Sequence, residues 1–183
     1  RIGIVAVAVG LLMISGEIDI SIGAMIPAGA MTTAIISGHF ELPIIFGIVG
    51  ALAVGVLVGL FNGFLAVRTT VPSLIITLGT LVAMQGIVLA GSKLLTGAAS
   101  VPLQAPQWAK TIFGDFMFGG SHQVVIIWWI VIAAVGAFIM HKTKFGNWIF
   151  AIGGDRDSAR NAGIPVDRIT VLLFVGSATA ASF

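Results

Sequence analysis

The chain holds 183 residues, 58% of them apolar and only 9% charged, with a mean hydropathy of +1.13 and a net charge of +2. Soluble domains carry about 25% charged residues, so this composition excludes a soluble globular domain, and disorder needs the opposite composition. No cysteine is present, which excludes disulfides, thiolate metal sites and cysteine catalysis.

The sequence opens at Arg1 and enters the apolar stretch 2–15 at once, with no clear signal-peptide n-region or cleavage site. It closes at Phe183 inside another apolar stretch, 170–183. Both ends read as partial spans of an internal fragment. Between them lie four runs without charge: 20–37, 44–67, 73–91 and 123–140. A helix of roughly 20 residues crosses a hydrocarbon core of about 30 Å, so each run can span. The runs are continuous rather than alternating, which argues against a transmembrane barrel. The expected fold is all-α: one polytopic transmembrane helix bundle over 1–183, with four full crossings and two partial ones.

The first break, between 15 and 20, carries Glu17 and Asp19. A charge at bilayer depth costs a few kcal/mol, so both acids must sit at the interface or be held by partners. Asp19 is expected to cap a helix starting at Ile20, or with Glu17 to line a solute or ion path. Pro27, inside the next run, should kink or break it. In the following run Gly47, Ala51, Gly55, Gly59 and Gly63 form a ridge of small residues on one helix face. Such a ridge lets two helix backbones approach closely in lipid. Packing within the chain is the expected use, and a subunit interface the other reading. Asn62, Thr77, Thr80 and Gln85 are polar residues within spans. They either bond neighbouring helices or, with Glu17 and Asp19, form a solute path.

Two longer connections set the orientation. Segment 141–169 holds Lys142, Lys144, Arg156, Arg160 and Arg168, whereas 92–122 holds only Lys93 and Lys110. The positive-inside rule makes 141–169 cytoplasmic and 92–122 periplasmic or extracellular. Alternation then places Arg68 inside and the turn 38–43 outside. Within 141–169, Asp155 suits an N-cap, Gly163 a C′ position and Pro165 a stop. They delimit a two-turn helix over 156–162, too short to be stable alone, which must dock against something. The chain has no phosphate-binding loop and no Gly-x-Gly-x-x-Gly run. His39, His122 and His141 are widely spaced, so no metal site and no catalytic site is expected, and the chain reads as a non-enzyme.

Three stretches resemble the membrane permease subunit of ribose-type ABC importers. They are the break from Gly16 to Gly23, the stretch 62–80 with Thr77-Leu78-Gly79-Thr80, and the stretch 145–175 with Ala151-Ile152-Gly153-Gly154. The resemblance covers nearly the whole chain and implies the middle portion of a permease of roughly ten helices. It implies a cytoplasmic coupling helix at Asp155, Arg156, Asp157, Ser158, Ala159, Arg160, Asn161 and Ala162, closed by Gly163, that docks on a separate ABC ATPase subunit. ATP would bind in that partner, with no cofactor in this chain. It further implies a second permease subunit, homodimeric or heterodimeric, and a periplasmic or extracellular solute-binding protein. The setting would be the bacterial inner membrane and its lipid bilayer, the cargo a sugar or sugar-like solute, and no nucleic acid would be bound. Glu17 departs from the family's usual Gly, and Pro72-Ser73 from its Pro-Pro-Phe-type entry, the latter expected to matter little. The rival readings are a branched-chain amino acid permease, which the acidic break disfavours, and an ion-coupled secondary transporter using Glu17 or Asp19.

Overall fold

The computed structural model describes residues 2–113, 116–117 and 122–183. Positions 114, 115 and 118–121 of the outer connection 92–122, and Arg1, lie outside the described residues. The chain begins with α1 (Ile2–Ile14) and α2 (Ile22–Ala34), the latter continued by a five-residue π-helical turn, Ile35–His39. Two long helices follow, α3 (Ile44–Arg68) and α4 (Ser73–Thr96), each entered through a proline N-cap, Pro43 and Pro72. The outer connection holds the short α5 (Gln107–Phe113) and a two-residue antiparallel pair, β1 (Phe116–Met117) with β2 (His122–Gln123). Then come α6 (Val125–Lys142), α7 (Lys144–Gly154), α8 (Arg156–Asn161) and α9 (Val166–Ser182).

The bundle is the expected helical, membrane-type one. Three of its helices, α3, α4 and α6, are long and apolar enough to cross a membrane by themselves. The run 20–37, expected as a fourth, holds only 13 α-helical residues, because Ile20 and Ser21 precede α2 and the run's last residues belong to the π-helical turn. Pro27 does not break α2, which continues through it.

α9 is the axis of the bundle. It packs most extensively on α3 and also on α1 and α2. Its buried residues, among them Thr170, Phe174, Ser177 and Ala181, recur at helical spacing. The glycine ridge of α3 faces it. A Cβ on Gly59 would stand 2.5 Å from Val175 Cα, one on Gly55 2.7 Å from Thr179 Cα, and one on Gly63 2.8 Å from Val171 Cα. The order of these pairs makes α3 and α9 antiparallel. Only a bare backbone allows this approach, so the ridge packs inside the chain. The opposite face of α3 exposes Phe46, Leu57, Phe61 and Phe64, and α6 likewise exposes Ile130, Val135 and Phe138. Exposed large apolar side chains on long helices are what a lipid-facing surface requires, because lipid solvates them.

Segment 141–169 carries more structure than one short helix. α7 starts where the Thr143 side chain accepts the Gly146 N–H at 3.3 Å. It buries Gly146, Ile149 and Ile152 against a core that includes Leu12, Met140, Ala159 and Phe174. Gly153 and Gly154 close α7. A side chain at Gly153 would collide with the Ile14 carbonyl, so that glycine lets α7 lie against the end of α1.

Candidate functional site

The break after α1 is built by its hydrogen bonds. Gly16, at φ +87°, stops the helix. The Gly16 N–H bonds Met13 O at 3.0 Å and the Glu17 N–H bonds Leu12 O at 3.3 Å, the paired closure of a glycine-terminated helix. Residues 17–20 then belong to no helix or strand. Burial alternates across the break: Ser15, Glu17, Asp19 and Ser21 are buried while Gly16 and Ile18 are exposed. The backbone of the break is fastened to the first turns of α4. Ser73 Oγ accepts the Ile18 N–H and Thr77 Oγ1 accepts the Ile20 N–H, both at 3.2 Å. Ser73, where the sequence departs from the family pattern, thus supplies a side-chain acceptor to the break.

Asp19 ends a chain of donors. Thr80 Oγ1 donates to Asn62 Oδ1 at 2.6 Å, Asn62 Nδ2 to Ser21 Oγ at 3.0 Å, and Ser21 Oγ to Asp19 Oδ1 at 2.5 Å. The Ser21 N–H adds a second bond to Oδ1 at 3.0 Å, and Ser177 Oγ donates to Oδ2 at 2.5 Å. The carboxylate thus accepts from the break itself and from α9, and the network reaches α3 and α4. Asp19 is 2% exposed, and Asn62 and Ser177 are fully buried. Asp19 does not cap a helix at Ile20 as expected. α2 starts at Ile22, and the carboxylate accepts from Ser21 and Ser177 instead. Gln85 stands apart, exposed on another face of α4 and outside this network.

Glu17 forms an ion pair with Arg156, the first residue of α8. Its side chain is 8% exposed and that of Arg156 37%. Arg156 Nη2 also donates to Thr170 Oγ1 of α9 at 2.7 Å. One guanidinium therefore joins α8, the break and α9. Ser21, Ser73, Arg156 as a partner of Glu17, Thr170 and Ser177 were not legible as a set. Their one sequence signal is that Thr170 and Ser177 lie seven residues apart, on one helix face.

α8 is held at both ends as the sequence suggests. The Ser158 N–H bonds Asp155 Oδ1 at 2.5 Å. The Ser158 hydroxyl and backbone N–H together hold the exposed Asp155 carboxyl below the ordinary carboxylate range. At the other end Gly163, at φ +81°, bonds Arg160 O at 3.0 Å, and the Ile164 N–H bonds Ala159 O at 3.1 Å. Between the caps only Ala159 is fully buried, with Arg156 partly so, while Asp157, Ser158, Arg160, Asn161, Ala162 and Gly163 are exposed. Arg160 reaches Asp167 at 2.9 Å. This face is polar, rigidly presented and uncovered.

The basic residues divide by end of the bundle. Arg68, Lys142, Lys144, Arg156, Arg160 and Arg168 lie at one end, and Lys93 and Lys110 at the other, so the end bearing α7 and α8 is cytoplasmic by the positive-inside rule. Among the described residues no group of His, Cys, Asp and Glu is arranged to hold a metal ion.

A profile of the family described as branched-chain amino acid transport system / permease component matches residues 1–183. Similar curated proteins include the probable ABC transporter permease protein YphD of Escherichia coli (strain K12), 35% identical over 99% of this chain and 52% of the relative. The galactofuranose transporter permease protein YtfT of the same strain is 31% identical over 99% of this chain and 51% of the relative. The inner membrane ABC transporter permease protein YjfF, also from that strain, is 28% identical over 95% and 52%. The chain thus spans about half the length of the curated relatives it matches. No solved structure matches it.

Proposed function

The chain belongs to the family of branched-chain amino acid transport system permease components, and on that premise we propose that it is part of the membrane permease of an ABC importer for a sugar or sugar-like solute. Its place is the bacterial inner membrane, as the name of one relative states for that protein. The family description names amino acids, but a relative 31% identical is named for galactofuranose, and the acidic break favours the sugar branch. The chain itself does no bond chemistry. ATP is bound and hydrolysed by a separate ATPase subunit, a solute-binding protein delivers cargo at the outer end, and a second permease subunit completes the path.

The observation that carries this reading is α8. A six-residue helix capped at both ends, anchored through Ala159 and Arg156 and otherwise exposed, is a rigid knob. Docked in a groove of the ATPase subunit, it would pass each closure of the ATPase pair through Arg156 to Glu17 and Thr170. These are the two places where α8 grips the break and the axial helix. In this state Asp19, Asn62, Thr77 and Thr80 hold the break in place, and exposure of their polar atoms to a solute belongs to another step of the cycle. An ion-coupled carrier fits less well. It needs Glu17 or Asp19 open to an ion, and here Arg156, Ser21 and Ser177 occupy their acceptors.

The test uses the absence of cysteine. Asn161→Cys in the whole permease, with a cysteine in the groove of the co-expressed ATPase subunit, is expected to give a disulfide whose yield changes with ATP. Absence of any link, together with uptake that follows an ion gradient and ignores ATP, would overturn the importer reading.

A further inference from the structure

A groove of about 440 Å³ lies between the cytoplasmic ends of α3 and α9. Its walls are Phe64, Val67 and Arg68 of α3 and Arg168, Val171 and Leu172 of α9. The antiparallel packing of the two helices brings Arg68, at the end of one span, beside Arg168, at the start of the other. Arg68 lies over the Phe64 ring, with Cζ 5.6 Å from the centroid, and has no ion pair among the described residues. Arg168 has neither an ion pair nor a side-chain hydrogen bond among them. The one acid that also lines the groove, Asp167, pairs with Arg160 at 2.9 Å, so neither groove guanidinium is ion-paired among the described residues and the two outnumber the single carboxylate. Below them the walls are apolar and continue into the lipid-facing side chains Leu60 and Phe61.

Two arginines without an ion pair above an apolar cleft, at the cytoplasmic border of the membrane, match one kind of ligand in both halves. We propose that this groove binds an anionic phospholipid of the cytoplasmic leaflet. The phosphate sits between Arg68 and Arg168, and an acyl chain lies against Phe64, Val171 and Leu172. Arginine suits this role because its planar fork bonds phosphate oxygens in pairs, and basic pockets between membrane helices on this side recognise lipid headgroups. A zwitterionic headgroup brings its own cation and gains less. A soluble phosphate would satisfy the arginines but leave the apolar walls unused. The proposal depends on the orientation of the bundle and not on the transported solute.

Native mass spectrometry of the purified permease in detergent tests it, with phosphatidylglycerol and phosphatidylcholine offered in equal amount. The unaltered protein is expected to retain phosphatidylglycerol preferentially. The double variant Arg68→Gln/Arg168→Gln should lose that preference, and Arg68→Lys/Arg168→Lys should keep most of it. Lys142→Gln/Lys144→Gln, which removes two cations from the same end but outside the groove, should leave it unchanged. Three results would each overturn the site: no preference in the unaltered protein, wild-type retention by the Gln variant, or equal loss in the lysine control. Displacement of the lipid by millimolar inorganic phosphate would instead make it a site for a soluble anion. An unfolding midpoint for the lipid-free Gln variant matching that of the unaltered protein separates loss of binding from loss of fold.

Discussion

At Glu17 a nearly buried carboxylate meets one guanidinium, and that guanidinium also holds Thr170. Removing one partner strands the other in a poorly solvated place, at a cost of about 1–3 kcal/mol, toward the lower end because the Arg156 side chain is 37% exposed. Arg156→Ala is therefore expected to lower the thermal unfolding midpoint of the detergent-solubilised protein. Adding Glu17→Ala should then cost little more, since the pair is already broken. Fully additive losses in that double-mutant cycle would show that the two charges do not act as a pair. The sequence shows that Glu17 must sit at the interface or be held by a partner, because a charge beside apolar runs is costly. It cannot show which one, because the choice among several arginines depends on where α8 comes to rest.

Helix ends were the most legible elements, because they are decided locally. Asp155, Gly163 and Pro165 delimit α8 from neighbouring residues alone, and the structure places the expected cap bonds there. The start of α2 and the whole of α7 were less legible. Each depends on distant contacts: Asp19 with Ser177, and Ile149 and Ile152 with the core around Phe174. Gly163 shows what a local rule predicts. No atom lies within 4 Å of the place its Cβ would take, yet its φ is +81°. A β-branched residue is thus opposed by the backbone, not by packing. Gly163→Val is expected to insert at normal abundance, measured in membrane fractions, but to lose ATP-driven uptake. Gly163→Asn, which tolerates this conformation, should retain most of it. Normal uptake by the Val variant would remove α8 from the coupling route.

For the molecule as a whole, α9 is the mast around which α1, α2 and α3 stand. The ridge from Gly47 to Gly63 announced a close helix contact, but its main partner was invisible because the α9 residues whose Cα atoms meet Gly55, Gly59 and Gly63 are β-branched, not glycine. α9 contributes its own backbone at Val171, Val175 and Thr179. The long apolar runs were readable for a different reason. Lipid forbids unpaired backbone groups, so the length and continuity of such a run define the element. Gly59→Leu tests the axis. Its side chain would start 2.5 Å from Val175 Cα, so α3 and α9 must part. Overpacking of this kind costs about 1–3 kcal/mol or more. The expected result is a lower unfolding midpoint and reduced membrane abundance, and Gly79→Leu, with open space around it, is the unaffected comparison. An unchanged midpoint for Gly59→Leu would refute the α3–α9 packing.

The Asp19–Ser177 bond joins residues 158 positions apart, and the Glu17–Arg156 pair spans 139. At a synthesis rate of about 5–20 residues per second, both acids leave the ribosome on the order of ten seconds before their partners exist. During that interval the break can rest only on what has already been made, first Ser21 and then Asn62, Ser73 and Thr77. Biogenesis therefore has a fixed order: the acidic break is parked early against α3 and α4, and it is locked only when α9 arrives. A nascent chain stalled before α8 would carry Glu17 without its guanidinium and Asp19 without its bond from Ser177, so the break is the last part of the bundle to be secured.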